Sequence, residues 1–280
     1  MFNHHPLPVR ELDPALYYIT ESEARLLKEY TGITDDNELK HHILKVQAEA
    51  YALPENSAYP ALLKLGKTRE NAILLDIGCG FGNDSRRAIA DGFPLQNVLC
   101  TDLREGANHN YEPTLGFFNI GHKLFKTAPE SFPLAFFRGD IFDTVFTYPQ
   151  PMTIPKLSAL DNLGQLKGQI SIIHASAFFH LFGEEGQRKL AQILGQLLSP
   201  QPGSIILGCQ IGAPARIFST RIFSPDTWKD IWTGDDGPFN PDIVEVHAYP
   251  RPLDGDEMRA STGPSADGER FWLTWSVLRK

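Results

Sequence analysis

Leu74-Leu75-Asp76-Ile77-Gly78-Cys79-Gly80-Phe81-Gly82-Asn83-Asp84 is the stretch whose reading decides the fold. Ala72 to Leu75 is an apolar run of the kind buried on both faces of a parallel sheet, and Ser85 to Ala90 begins a helix. Three glycines therefore fall at a strand-to-helix turn, where the missing Cβ lets backbone approach a ligand closely. Asp102 stands 20 residues past Gly82, at the end of the next apolar run, Asn97 to Thr101. A carboxylate there is placed to accept hydrogen bonds from ribose hydroxyls. Glycines and acid together predict a nucleoside site.

Two nucleoside chemistries compete, with an ordinary tight turn as the bland third reading. Dinucleotide sites use Gly-x-Gly-x-x-Gly, which seats a pyrophosphate on the helix N-terminus. Here the spacing is Gly78-x-Gly80-x-Gly82, and Asp76 precedes the first glycine by two residues. That carboxylate would repel a pyrophosphate but suits the ammonium and sulfonium of S-adenosylmethionine. The motif predicts an S-adenosylmethionine site, with Asp76, Gly78, Gly80 and Gly82 on the amino-acid portion and Asp102 on the ribose.

The length of 280 residues, 42% of them hydrophobic, suits one core of about 200 residues plus an appendage. A net charge of −8 and a pI near 5.6 argue against a nucleic-acid partner, and the chain shows no basic patch. Met1-Phe2-Asn3-His4-His5-Pro6 lacks a signal-peptide core, and no apolar run approaches the ~20 residues of a membrane span. The expectation is a cytoplasmic protein without membrane contact. Cys79, Cys100 and Cys209 show no Cys-x-x-Cys spacing and read as small core residues, not disulfides or zinc ligands.

Helical patterns at Glu21–Tyr30 and Glu38–Tyr51 precede the first strand, the second carrying Leu39, Ile43, Val46 and Ala50 on one face. Residues 1–68 are expected to form a helical cap or lid, with Tyr17, Tyr18 and Tyr30 as its aromatics, and 69–280 the binding core. Further strands are expected at Leu134–Phe137, Ile170–Ile173 and Ser204–Cys209, with a strong amphipathic helix carrying Leu190, Ala191, Leu194, Leu197 and Leu198 before the last. Ile243–Ala248 and Phe271–Val277 predict an antiparallel edge, joined by the polar stretch 254–268. The fold class is therefore α/β: a Rossmann-like, doubly wound, mostly parallel seven-stranded sheet with an antiparallel edge strand and an N-terminal helical cap.

Ligands of such sheets bind outside the carboxyl ends of the strands, so each strand end is a candidate position. Asp140-Ile141 ends the third strand and suits adenine: the carboxylate accepts from the exocyclic amine and the aliphatic side chain packs on the ring. Asp140 also reads as a turn cap. The fourth strand runs into His174-Ala175-Ser176-Ala177-Phe178-Phe179, not the Asn/Asp-Pro-Pro-Tyr/Phe of nucleic-acid amino-methylating enzymes. His174 and Ala175 are placed beside the donor, although His174 also reads as a packing residue. With His174 and Gln210-Ile211 where metal-dependent catechol enzymes carry acidic ligands, no catalytic metal is expected.

His180 is the candidate catalytic base, its imidazole titrating near working pH, and a structural histidine is the alternative. A carboxylate acceptor needs no base, only alignment with the methyl–sulfur bond. Phe178, Phe179 and Trp228 are candidate acceptor contacts, and Arg216 or Arg221 would pair an acceptor carboxylate. Trp228 and Trp232 share one helix face and equally read as core aromatics. The small-molecule acceptor is expected to be terpenoid or aromatic, with simple phenols such as lignin-derived ones as the alternative. An inactive cofactor-binding partner subunit is the reading from another class, disfavoured by the intact glycines and acids.

Tyr18-Ile19, Leu27 to Ile33, Tyr59-Pro60, Asp91-Gly92-x-Pro94-x-x-Asn97, Asp102-Leu103-Arg104, Asp140-Ile141-Phe142, Ser176 to Phe182 and Pro200 to Ser204 extend the glycine motif to a wider likeness. With these segments the chain resembles the small fungal class I methyltransferases of secondary metabolism, which methylate carboxyl groups of farnesylated polyketide acids in meroterpenoid biosynthesis. The resemblance covers roughly residues 17 to 235. It implies a helical cap over the cofactor and an O-methyltransferase activity, and it adds Tyr18 and Leu103 to the cofactor contacts. The longer 143–168 connection and the 254–268 insertion depart from the pattern, and specificity in such folds lives in added loops.

Overall fold

The computed structural model describes residues 19, 21, 24–25, 28, 32–49, 56–102, 117–125, 127–146, 154–213, 223–252 and 270–280. Its strands are β1 (Leu74–Ile77), β2 (Val98–Asp102), β3 (Ala135–Arg138), β4 (Ile172–His174), β5 (Ile205–Gly212), β6 (Val244–Pro252) and β7 (Phe271–Arg279). They form a seven-stranded sheet in the order β3-β2-β1-β4-β5-β7-β6. β1 to β5 pair in parallel, and β7 runs antiparallel to both β5 and β6. The two late segments therefore supply the antiparallel pairing expected of them. β7 sits inside because Phe271, Leu273, Trp275 and Val277 are all buried, whereas β6 exposes Glu245 and His247, as an edge strand should.

Helices cover both faces, as a parallel sheet requires. They are α1 (Asp36–Glu49), α2 (Tyr59–Thr68), α3 (Asn83–Ala90), α4 (Phe117–Leu124), α5 (Glu184–Leu197) and α6 (Pro225–Thr233). On one face Leu75, Ile77, Ile173 and Ile206 pack with Leu190, Leu194 and Leu197 of α5, the helix whose apolar periodicity was legible in the sequence. On the other, Leu74, Val98, Ile172 and Leu207 meet Leu62 and Leu63 of α2 and Ala88 of α3. Successive strand residues alternate between these two cores, which is the period of two of an extended chain.

Residues 56–68, placed by sequence at the end of the cap, are tied to the core that begins at residue 69. Asn56 Nδ2 donates to the carbonyls of Gly208 and Trp275 at 3.1 and 3.0 Å, and Tyr59 Oη donates to Asp91 Oδ2 at 2.7 Å. Arg69 donates to Ser204 Oγ at 2.7 Å. α1 starts at an Asp35 cap whose Oδ1 accepts from the N–H groups of Asn37 and Glu38, and its Leu39 is buried. The 143–168 connection is packed in its described part: Asn162 Oδ1 accepts from Val145 and Gly164, and Leu163 and Leu166 enter the core. Most of the Glu21–Tyr30 helix and the 254–268 stretch lie outside the described residues.

Candidate active site

The strand order reverses between β1 and β4, so the crevice at their carboxyl ends is the topological switch point where α/β sheets take ligands. The glycine turn lies there. Gly78, Gly80 and Gly82 have φ of +65°, +53° and +74°, a left-handed conformation that costs an L-residue about 1–2 kcal/mol. The N–H groups of Gly78 and Cys79 donate to Thr101 O at 2.9 and 3.2 Å, pinning the turn to β2. A Cβ on Gly78 would stand 2.5 Å from Phe178 Cδ2, so that glycine serves packing. A Cβ on Gly80 would meet nothing within 4 Å among the described residues, which leaves bare backbone facing open space. Beside it, the Gly80 N–H donates to Asp102 Oδ2 at 3.2 Å, and Asp102 is half-buried at the end of β2.

Under the turn lies a buried polar network. Asp76 Oδ1 is 2.8 Å from His174 Nδ1, and Asp76 Oδ2 accepts from Ser85 Oγ at 2.6 Å. His174 Nε2 is 2.6 Å from Ser176 Oγ and 3.7 Å from Asp84 Oδ2. Burial pushes the His174 pKa down, but the Asp84 and Asp76 carboxylates and the Asp76 hydrogen bond together outweigh it, so the imidazolium is favoured. Asp76 and His174 are 3% and 2% exposed. Their polar atoms are turned to protein partners beneath the turn.

The loop after β4 carries the second half of the site. Ala175 is buried and its N–H donates to Leu207 O. Ala177 holds φ +50°, rare for a residue with a Cβ, while its N–H donates to Cys209 O at 2.7 Å. That backbone reversal sets the half-buried Phe178 ring against Gly78. His180 follows on a 3-10 turn (Phe179–Leu181), where burial lowers its pKa and keeps it neutral. Among the described residues its buried Nδ1 has no hydrogen-bond partner.

At the end of β3, Asp140 Oδ1 accepts from the Phe142 N–H at 2.9 Å, so this side chain does cap a turn, and Ile141 is buried in the core beneath it. The Gly139 N–H reaches Asp102 O at 3.3 Å, which brings the ends of β3 and β2 together at Asp140 and Asp102. Phe179 and Trp228 are corrected more fully. Both are completely buried, in a cage with Trp232 and Trp275 whose ring centroids lie 4.9–6.0 Å apart. An amphipathic helix spends its largest aromatics on the core because they bury the most area. Tyr18, Leu103, Arg216 and Arg221 lie outside the described residues.

Among the described residues no group of three or more His, Cys, Asp or Glu side chains is arranged to hold a metal, and no helix is long and apolar enough to cross a membrane. Sequence reasoning missed the roles of Ser85 and Ala177 and weighed Gln210 only as a position lacking a metal ligand. Ser85 opens α3 as a small polar residue and Gln210 is the one amide in an apolar strand, so both left a signal; nothing local marks the φ of Ala177.

A family model described as the meroterpenoid methyltransferase N-terminal domain matches residues 12–60. The methyltransferase adrK of Penicillium rubens is 30% identical over 222 residues, covering 72% of this chain and 70% of its own. The O-methyltransferase phiE of a fungal species is 29% identical over 189 residues, 65% of this chain and 54% of that one. The asnovolin E/chermesin D methyltransferase nvfJ of Aspergillus novofumigatus is 27% identical over 238 residues, 76% of each. The chain thus spans about half the length of phiE and about 70–76% of the other two.

Proposed function

This chain belongs to the family of fungal meroterpenoid methyltransferases, and from that premise we propose that it methylates a carboxylate oxygen of a small terpenoid–aromatic metabolite. The family uses S-adenosylmethionine, and the residues present fit it. When bound, this cofactor supplies a methyl group already activated on a sulfonium. The bare backbone at Gly80 provides the close approach, and Asp102 accepts from the ribose hydroxyls. Asp140 keeps Oδ2 for the adenine amine while Oδ1 holds its turn. Phe178 closes the side of the turn and excludes water.

A carboxylate is ionised near neutral pH, so the chain's task is to hold its oxygen in line and dry. His180, neutral and with Nδ1 unpartnered among the described residues, then orients the acceptor through a hydrogen bond. The segment before Asn56, which the family model matches, is proposed as the cover; removing residues 1–52 should abolish turnover while the sheet still folds. The observation that carries the reading is the open left-handed turn at Gly80 beside Asp102, in a chain of this family.

The test is turnover with S-adenosylmethionine on farnesylated aromatic acids and on the matching phenols, with products read by mass spectrometry before and after mild alkali. Alkali-labile methylation establishes an ester. An alkali-stable ether would replace the carboxylate by a phenol, and no methylation in any arm would revive the inactive-subunit reading.

A further inference from the structure

Gln210 is wholly buried in β5, and among the described residues neither its Oε1 nor its Nε2 has a hydrogen-bond partner. Every other residue of β5 is apolar, cysteine or glycine. Strand alternation places Gly208, Gln210 and Gly212 on one face. A Cβ on Gly208 would come 2.8 Å from Trp275 Cζ2, and one on Gly212 would come 2.5 Å from Phe271 Cε2. Gln210 therefore rises between two glycines against the aromatic cage. Trp228 and Trp275, whose rings lie 4.9 Å apart there, also have buried Nε1 atoms without partners among the described residues.

Native cores rarely keep so many unmet donors and acceptors, because each has given up its hydration for nothing in return. The cluster also adjoins the site. Cys209 O accepts from Ala177, the next residue is the Phe178 that rests on Gly78, and the unpartnered His180 Nδ1 lies two residues further on.

We propose that Gln210 determines acceptor specificity: its amide receives the polar head of the methyl acceptor, Nε2 donating to a carboxyl oxygen and Oε1 accepting from a neighbouring hydroxyl. The chemistry it selects is a hydroxy acid on an apolar body. Because the amide is covered, the acceptor reaches it by displacing the side chains above it. This deepens the methylation reading and rests on it.

The probes are a farnesylated dihydroxybenzoic acid and the corresponding phenol without the carboxyl group, titrated in the presence of S-adenosylhomocysteine and followed by tryptophan fluorescence. The proteins are wild type, Gln210→Leu and Gln210→Glu. In wild type the acid should quench the cage at least tenfold more tightly than the phenol. Gln210→Leu should lose that preference, keep its affinity for S-adenosylhomocysteine and melt no lower than wild type, since an unmet amide has been removed. Gln210→Glu should bind the acid only with uptake of a proton, since a wholly buried carboxyl facing a carboxylate does not stay ionised, so its acid affinity should fall as pH rises from about 6 to 8. Equal acid affinity in wild type and Gln210→Leu, no quench in wild type, or a lower Tm in Gln210→Leu with unchanged binding would overturn the proposal. The last result would mean an internal water or packing role. Binding needs no turnover, so a failed methylation assay overturns the activity and leaves this comparison decisive.

Discussion

His174 Nδ1 stands 2.8 Å from Asp76 Oδ1, joining the ends of β4 and β1 across the point where the strand order reverses. The contact fixes both walls of the crevice with one buried pair. Ser85 on the other carboxylate oxygen and Ser176 on the other ring nitrogen extend it to α3 and to the loop after β4.

That pair has a pH signature. The folded pKa of His174 is raised above its unfolded value of about 6.5, so its stabilisation is fully present below about pH 6.5 and is lost as pH rises through the folded value. The Tm difference between wild type and His174→Gln should shrink as pH is raised from 6 to 9. A difference that grows over this interval would show that the neutral imidazole is the stabilising form.

Asp102 is expected to contribute a charge-assisted hydrogen bond to the ribose, worth about 1.5–3 kcal/mol. Asp102→Ala should therefore weaken S-adenosylhomocysteine about tenfold to a hundredfold by calorimetry, with no requirement for added metal. Unchanged affinity would remove Asp102 from the site.

Gly78 and Gly80 separate packing from binding. Both are left-handed, so alanine at either costs about 1–2 kcal/mol of backbone strain. Gly78→Ala adds a collision with Phe178 and should lower Tm further. Gly80→Ala meets nothing within 4 Å among the described residues and should instead lose cofactor affinity out of proportion to its smaller Tm change. The reverse ranking would place the ligand against Gly78.

His180 distinguishes the two acceptors. With a carboxylate, kcat/KM should be nearly flat between about pH 6 and 8 and His180→Ala should cost less than about a hundredfold. With a phenol, His180→Ala should cost about 10²- to 10⁴-fold, and wild-type rates should fall in acid as the imidazole protonates, below its usual range because burial lowers its pKa. Loss of that acid limb in the variant would establish the base.

The sequence by itself determined the sheet, the turn and the family of ligand. Ala72 to Leu75, the glycines at 78, 80 and 82, and Asp102 are local signals, because strand burial, left-handed backbone and a strand-end acid each restrict residue type at fixed spacing. The helix over Glu184–Leu197 was legible for the same reason. Only the tertiary structure decided which polar groups meet which protein partners. Asp76 and His174 are 98 residues apart and meet through strand pairing, and Phe179 and Trp228 enter a common cage through packing of a loop against α6. Gln210 is singled out by a buried amide that has no hydrogen-bond partner among the described residues. Partners and burial are properties of the assembled chain, and no residue type or spacing specifies them.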